Sequence, residues 1–181
     1  MTLLWLLLST LVVVAVITVI GARLPKTHSA ASRICLKAPP EEVWRVIADF
    51  PSYPAWRPGL TAVELGPDID GLPSWFEVCG KSIKVHFRVV ASEPPRRLVT
   101  RLVDSGLPLS GAWVYELQPA NGGTELIITE QDKIYSPFLR FFTRFVIAYH
   151  GVMDVFLIAL ARALGEDVAP EHLSLRVEAG G

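Results

Sequence analysis

The first 22 residues of the chain contain no charged side chain, and the first charge is Arg23. At about 1.5 Å per residue, a helix of this length can cross a hydrocarbon core of about 30 Å. The few polar residues in the run are serines and threonines, whose hydroxyls can bond to carbonyls of their own helix. The run therefore predicts a membrane-spanning helix, and any function of the remaining chain must fit a position beside a membrane.

A cleaved secretory signal is the alternative interpretation of residues 1–22. Such a signal has a basic start, an apolar run of about 7–15 residues and a cleavage site with small residues directly behind it. Here no Lys or Arg precedes the run, and the small residues at 29–31 lie well beyond it. The sequence therefore favours an uncleaved anchor. Because Arg23 and Lys26 follow the helix, the positive-inside rule places the following domain in the cytoplasm.

Length and composition predict one domain behind the anchor. The predicted division is an anchor at residues 1–22, a polar linker at 23–31, a domain at 32–165 and a flexible tail at 166–181. The net charge of −1 argues against nucleic-acid binding. Cys35 and Cys79 are expected to stay reduced in the cytoplasm. Because the four histidines are scattered and no CxxC occurs, neither a metal nor a cofactor is predicted.

Alternating apolar and polar residues predict a β-sheet in the middle of the chain. In the clearest case, Val85 and Phe87 alternate with Lys84 and His86. One buried and one wet face is typical of an antiparallel sheet, and Glu77 is expected among the solvated charges of the wet face. Strands bounded by turn residues are predicted over residues 32–37, 60–65, 74–79, 82–92, 97–103, 112–118 and 124–133.

Two segments predict helices. Prolines followed by Glu41 and Glu42 suit the first turn of a helix that ends near Phe50. Ser136 before Pro137 is typical of a helix start, and the pattern predicts one long helix that ends at residue 164. Its apolar arc is wider than packing on a single sheet needs, so the remaining apolar surface should border a cavity, a membrane or a partner.

The order of these elements resembles the START-like superfamily (SRPBCC), in the branch of polyketide cyclases, dehydrases and lipid transport proteins. The resemblance rests on APPEEVWRVIADFPSYPAWRPG (residues 38–59), on GAWVYELQPA (residues 111–120) and on the long terminal helix. It covers residues 32–165. It implies an α+β helix-grip fold, in which a curled seven-stranded antiparallel sheet surrounds the C-terminal helix and leaves a hydrophobic cavity between them.

The resemblance and the anchor together favour a membrane-tethered domain that binds an apolar small molecule such as a lipid, a quinone or a polyketide. The bilayer, through residues 1–22, and this small molecule are the predicted partners, whereas the oligomeric state is not predicted. The residues expected to contact the ligand are Trp56, Phe87, Trp113, Tyr115, Phe141, Phe145, Tyr149, Met153 and Phe156.

Two other functions remain open. One is an interaction scaffold that docks a partner on its helix face, and the other is a cyclase or dehydratase acting on an apolar substrate. An enzyme would need ionisable groups in the cavity, for which the candidates are Glu130, Tyr115, His150 and Asp154. Glu130 shares a strand face with Leu126 and Ile128, so it points inward unless the strand ends or bulges before it.

Overall fold

The structure is a computed structural model that describes residues 2–80, 83–103, 106, 108–147 and 150–174. Within these residues, the helices that follow the N-terminal helix lie on one face of a single antiparallel sheet, and the N-terminal helix contacts the C-terminal helical segment. The helices are α1 (Thr2–Arg23), α2 (Pro40–Ala48), α3 (Tyr53–Trp56), α4 (Pro137–Phe142) and α5 (Gly151–Ala163). The strands are β1 (Thr27–Leu36), β2 (Leu60–Leu65), β3 (Ser74–Cys79), β4 (Ile83–Glu93), β5 (Arg97–Leu102), β6 (Leu109–Ala120), β7 (Gly123–Ile134) and β8 (Glu171–Leu173).

The sheet has the order β2-β3-β4-β5-β6-β7-β1-β8. It is open and uncurled, and the described residues contribute eight strands where a curled, seven-stranded sheet was expected. The additional strand, β8, lies in the segment predicted to be a flexible tail. It pairs with residues 31–33 of β1, and Glu171 forms an ion pair with Arg33 at 2.7 Å. β8 thereby covers an edge of β1 that would otherwise leave backbone groups unpaired.

Strand β1 begins at Thr27, so most of the segment predicted as a linker is strand. Ala30, Ser32 and Ile34 share its inner face and are buried, and Ala31 on the opposite face is buried as well. Ala30 and Ala31 have low strand propensity by themselves. They are held in the sheet because β1 pairs with β7 along its whole length.

The C-terminal helix is not the single helix that the sequence predicted. α4 continues into a π-helical turn, Thr143–Ile147, and the axis of α5 is bent by 52° from the segment before it. Gly151, a poor helix former, begins α5. α5 packs on the sheet through side chains that include Met153, Leu157 and Leu160, which are fully buried.

Helix α1 is the one described helix that is long and apolar enough to cross a membrane, judged by length and composition. Its large apolar side chains are exposed, but its C-terminal end is fixed to α4. A Cβ on Gly21 would collide with the carbonyl oxygen of Pro137, so this close contact requires glycine. The guanidinium of Arg140 donates to the carbonyl oxygen of Leu24 at 2.8 Å, where a helix end leaves acceptors without partners.

Candidate ligand-binding cavity

A cavity of about 640 Å³ lies between the inner face of the sheet and the helices. Strands β3 to β7, the segment that follows α3, and Val152 of α5 form its wall. Its volume is within the range of small-molecule sites, about 300–1,000 Å³. The apolar and aromatic side chains of the wall include Leu60, Val85, Phe87, Leu102, Trp113 and Tyr115. Such a wall suits a hydrophobic ligand.

At one end of the cavity, Arg57 and Glu77 form a buried ion pair. The Arg57 Nη1 atom lies 2.5 Å from the Glu77 Oε1 atom, and the two side chains are 17% and 8% exposed. Trp75 donates its indole N–H to the same oxygen at 3.2 Å. The guanidinium also lies 4.7 Å from the centre of the Tyr53 ring and 5.2 Å from that of Phe156. The positive charge of Arg57 therefore balances the negative charge of Glu77, and the neighbouring aromatic side chains fix the positions of both groups.

The expectation that Glu77 lies on the wet face is wrong. Glu77 and Trp75 share the inner face of β3, whereas Phe76 lies on the outer face against His86. Because β3 has aromatic residues on both faces, alternation of hydrophobic residues does not reveal which face is buried. The ion pair with Arg57 offsets the cost of burying the charge of Glu77, and Arg57 lies on a segment outside the sheet.

The opposite end of the cavity wall is acidic, with Glu130 and Asp132 two residues apart on the inner face of β7. Glu130 is 8% exposed and accepts the indole N–H of Trp113 at 2.7 Å. The alternative in which Glu130 is solvated is therefore excluded. Burial, and then the neighbouring Asp132 carboxylate, raise the pKa of Glu130 to about 7, and burial raises the pKa of Asp132 to about 6.

His28 completes this acidic end. It lies on β1 directly opposite Asp132, in the segment that the sequence analysis assigned to a linker. One possible ligand atom from each of His28, Glu130 and Asp132 lies within 4.8 Å of the others. Burial lowers the pKa of the His28 imidazole, which favours its neutral form. Two acids and an imidazole thus converge at the edge of an apolar cavity.

The residues expected to contact a ligand are distributed between the cavity and the packing around it. Phe87, Trp113 and Tyr115 lie on the cavity wall. Phe156 lies behind that wall, with its ring centre 5.5 Å from that of Trp113 and 5.8 Å from that of Tyr115. Trp56 is outside the cavity and packs edge-on against Phe156 at 5.3 Å.

The other expected contacts lie further from the cavity. Met153 is fully buried in the core. Phe141 and Phe145 lie on α4 and the π-helical turn, with ring centres 5.0 Å apart, and Phe145 is 58% exposed. Tyr149 falls outside the described residues. The sequence predicted these positions from a single continuous helix, and the bend before α5 directs the α4 aromatic residues elsewhere.

The four candidate catalytic residues separate into two groups. Tyr115 and Glu130 lie on the cavity wall. His150 and Asp154 instead contact the buried hydroxyl of Ser32, at 3.1 Å and 3.4 Å, away from that wall. Asp154 also contacts the imidazole of His172 at 2.8 Å. This second group joins α5 and β8 to β1.

Burial raises the pKa of Tyr115, so its phenol stays protonated, and its hydroxyl is hydrogen-bonded to Thr100. Sequence reasoning missed Arg57, Glu77, Asp132 and His28. Asp132 was within reach, because it lies two residues beyond Glu130 and therefore on the same strand face. The other three depend on contacts between distant segments.

An antiparallel sheet, a C-terminal helix and an apolar cavity between them define a helix-grip protein of the class that binds hydrophobic small molecules. Residues 27–165 match the family described as polyketide cyclase / dehydrase and lipid transport. The chain belongs to this family. No match was found among curated proteins.

Solved structures show the same fold. The di-domain ARO/CYC protein StfQ from the steffimycin biosynthetic pathway aligns with a TM-score of 0.62 and 12% identity, over 77% of this chain and 52% of StfQ. This chain therefore spans about half the length of StfQ. Norcoclaurine synthase from Thalictrum flavum aligns with a TM-score of 0.61 and 10% identity, over 77% and 87% of the two chains. A protein from Chromobacterium violaceum has a TM-score of 0.57 and 21% identity, over 80% of this chain and 100% of its own.

Proposed function

We propose that this protein is a membrane-tethered domain that binds an apolar small molecule, such as a lipid, a quinone or a polyketide, and transfers it to or from the bilayer. The cavity of about 640 Å³, with its mostly apolar wall, is the observation that carries this proposal. An open cavity of this size with a mostly apolar wall is typical of sites that bind small molecules. A hydrophobic ligand would fill it.

The contacts at the end of α1 support an anchor that is retained rather than cleaved. Gly21 lies against Pro137, and Arg140 caps the helix end at Leu24. Arg140 is only 6% exposed, and cleavage at the small residues 29–31 would remove Leu24 and leave the buried guanidinium without this acceptor. A segment that contributes to the buried contacts of the mature domain suits an anchor better than a signal sequence.

The apolar surface beside α1 supports a cavity that opens toward the bilayer. Phe138, Phe145 and Val146, on α4 and the π-helical turn, are between 42% and 64% exposed. Val152 is 52% exposed and also lines the cavity. Exposed apolar patches of this kind mark membrane or partner contacts. Since α1 docks on α4, the same surface would lie at the membrane face.

Capture of the ligand from host membranes tests the proposal. The full chain is purified in detergent, and the organic extract is analysed by mass spectrometry for a bound apolar molecule. A Val85→Trp substitution places a large ring in the cavity and is expected to abolish capture. Val90→Trp, on the same strand but 37% exposed outside the cavity, is the matched control and should retain the molecule. Equal capture by both variants, or none by the native chain, would refute the proposal.

The proposed topology has its own test. The basic residues Arg23 and Lys26 follow α1, so the domain is expected on the cytoplasmic side. In sealed inverted membrane vesicles, added protease should digest the domain, and the intact mass of the purified chain should include residues 1–22. Protection of the domain, or a chain that begins after residue 22, would overturn this part of the proposal.

A cyclase or dehydratase reaction is the second candidate, and Glu130 favours it. A carboxyl group whose pKa is about 7 is well placed to give or take a proton near neutral pH. An enzyme should release a product that differs from the molecule captured by a Glu130→Gln variant, in chromatographic retention for a cyclised isomer or by the mass of the lost water for a dehydration. Identical molecules in both extracts would favour binding alone.

A further inference from the structure

We propose that His28, Glu130 and Asp132 form a binding site for one divalent metal ion at the acidic end of the cavity. One donor atom from each side chain lies within 4.8 Å of the other two. Metal–ligand distances of about 2.0–2.2 Å place the donors of a real site up to about 4 Å apart, so small side-chain rotations would close this set around an ion. The site is distinct from the apolar surface that would hold a hydrophobic ligand.

The strands hold the three ligands on one face. His28 lies directly opposite Asp132, and Glu130 pairs with Ala30, two residues along the same strands. Side chains two residues apart on a strand point to the same side of the sheet. Because β1 and β7 are paired along their whole length, the ligands lie on rigid elements rather than on loops.

The electrostatics of this end favour a cation. Glu130 is only 8% exposed, and it lies beside a second carboxylate in a mostly apolar cavity. In the described part of the chain, neither carboxylate forms an ion pair with Lys or Arg. Two neighbouring carboxylates, of which Glu130 is buried and Asp132 half-buried, must take up protons or remain at a high free energy unless a cation is bound. A divalent ion would neutralise both.

The neighbouring strand β6 provides support of the kind found around metal ligands. Trp113 donates its indole N–H to the Glu130 Oε1 atom at 2.7 Å, which orients the carboxylate and leaves Oε2 for an ion. A Cβ on Gly111 would collide with the Asp132 Oδ1 atom. Glycine at this position therefore lets the Asp132 carboxylate lie directly against the backbone of β6.

The ligand set indicates which ion would bind. One imidazole nitrogen and two carboxylate oxygens suit borderline divalent ions such as Zn²⁺ and Co²⁺, whereas Mg²⁺ and Ca²⁺ prefer oxygen alone. Three protein ligands leave at least one coordination position open to the cavity. A water molecule or an oxygen atom of a bound molecule would occupy that position.

Metal titration of the full chain in detergent tests the site. The protein is treated with EDTA, passed into metal-free buffer and titrated with Co²⁺ and Zn²⁺ by calorimetry, and the visible spectrum of Co²⁺ is recorded. We expect one ion per chain. His28→Asn and Asp132→Asn should each weaken binding at least about tenfold, because loss of a supporting partner alone costs that much.

Two control variants separate this site from other candidate ligands. His86 lies on the outer face of β4 beside Ser74, and Cys79 lines the cavity as a free thiol. His86→Asn and Cys79→Ser should bind the ion as the native chain does. Circular dichroism checks that each variant is folded, and Glu130→Gln, which keeps an acceptor for Trp113, provides a further loss-of-ligand variant.

The result of the metal titration does not depend on the proposed ligand-binding function. No apolar ligand is present in the titration, and Val85→Trp should lose the apolar molecule while it retains the ion. Absence of binding at millimolar Co²⁺ and Zn²⁺ would overturn the proposal. So would native affinity in the folded His28→Asn, Asp132→Asn and Glu130→Gln variants.

Discussion

The two ends of the cavity each bury a glutamate, but among the described residues only Glu77 forms an ion pair with an arginine or a lysine. Glu77 is held by the guanidinium of Arg57 and by the indole of Trp75. Glu130 receives an indole N–H from Trp113 and otherwise lies beside a second acid, Asp132. At both ends, the indole N–H of a tryptophan donates to a buried carboxylate. The two ends differ in that Glu77 also contacts the positive charge of Arg57.

This difference indicates that the end with Arg57 and Glu77 stabilises the fold, whereas the acidic end with Glu130 is available for chemistry. A buried ion pair with both charges matched fixes a local conformation, and its loss leaves an uncompensated charge. An acid pair of one buried and one half-buried carboxyl group, which forms no ion pair with a described lysine or arginine, has raised pKa values and can exchange protons or bind an ion near neutral pH. The experiments below test this contrast.

The largest effect on stability is expected at the end of the cavity where Arg57 and Glu77 form an ion pair. Arg57→Met removes the cation and leaves the Glu77 carboxylate buried, so the free energy of unfolding should fall by about 3–5 kcal/mol at pH 7. Denaturant titration of the full chain in detergent, followed by tryptophan fluorescence, measures this change. A loss below about 1 kcal/mol, as for surface ion pairs, would show that the pair is not structural.

The double variant Arg57→Met with Glu77→Gln is the control for this loss. Glutamine has no charge to leave unpaired, but its carbonyl still accepts the indole N–H of Trp75. The double variant should recover most of the stability. If it is as unstable as Arg57→Met alone, the loss comes from the packing of Arg57 on the Tyr53 and Phe156 rings.

The second-largest effect is expected at the acidic end, where a substitution should increase the free energy of unfolding. Because the folded chain raises the pKa of Glu130 to about 7, ionisation of this group destabilises the fold as the pH rises from about 4.5 to above 7. In EDTA, Glu130→Gln should therefore increase the free energy of unfolding at pH 8 by about 2–3 kcal/mol. At pH 4, where both states are protonated, the difference should vanish.

Glu116→Gln provides the matched control for Glu130→Gln, because Glu116 is exposed on the neighbouring strand β6. Its effect on stability should be small and nearly constant from pH 4 to pH 8. The same pH dependence in both variants would mean that general surface charge, rather than burial of Glu130, sets the profile.

A smaller effect is expected where β6 meets the acidic end. Gly111→Ala adds a methyl group where the Asp132 carboxylate now lies, so the carboxylate must rotate away. Crowding of this kind costs about 1–3 kcal/mol, with the low end expected for a movable side chain. Binding of Co²⁺ should weaken together with stability. Ser110→Ala, at the adjacent position of β6, should leave Co²⁺ binding unchanged.

The contrast between the two ends also shows what sequence could and could not predict. Strands β3 and β4 were predicted within a residue, because turn residues bound both segments and β4 shows clear alternation. The shared face with Leu126 and Ile128 offered an inward direction for Glu130, but the sequence reasoning favoured a strand that ends or bulges there, which left the glutamate solvated. These are local properties, in which a side chain's direction depends on its own strand.

The partners of the two glutamates could not be predicted in this way. His28 meets Asp132 only because β1 returns to the sheet edge beside β7, and Arg57 meets Glu77 only because α3 closes over β3. Such pairings depend on tertiary register, which no local pattern encodes. The same holds for β8, whose short segment is a strand because β1 offers it an edge.

The smallest effect is expected at Tyr115, which lies between the two ends and tests whether they are independent. The charges of Arg57, Glu77 and Glu130 all act on its hydroxyl, and that hydroxyl is bonded to Thr100. Tyr115→Phe removes one hydrogen bond from a buried site, so unfolding should become easier by about 1 kcal/mol. Thr100→Val should cost a similar amount, and the double variant should cost less than the sum of the two.

Because burial keeps the phenol of Tyr115 protonated, the loss of stability in Tyr115→Phe should be the same at pH 5 and pH 8. A loss that changed between these pH values would mean that Tyr115 transmits the ionisation of Glu130 toward Arg57 and Glu77, and the two ends would then be one coupled site.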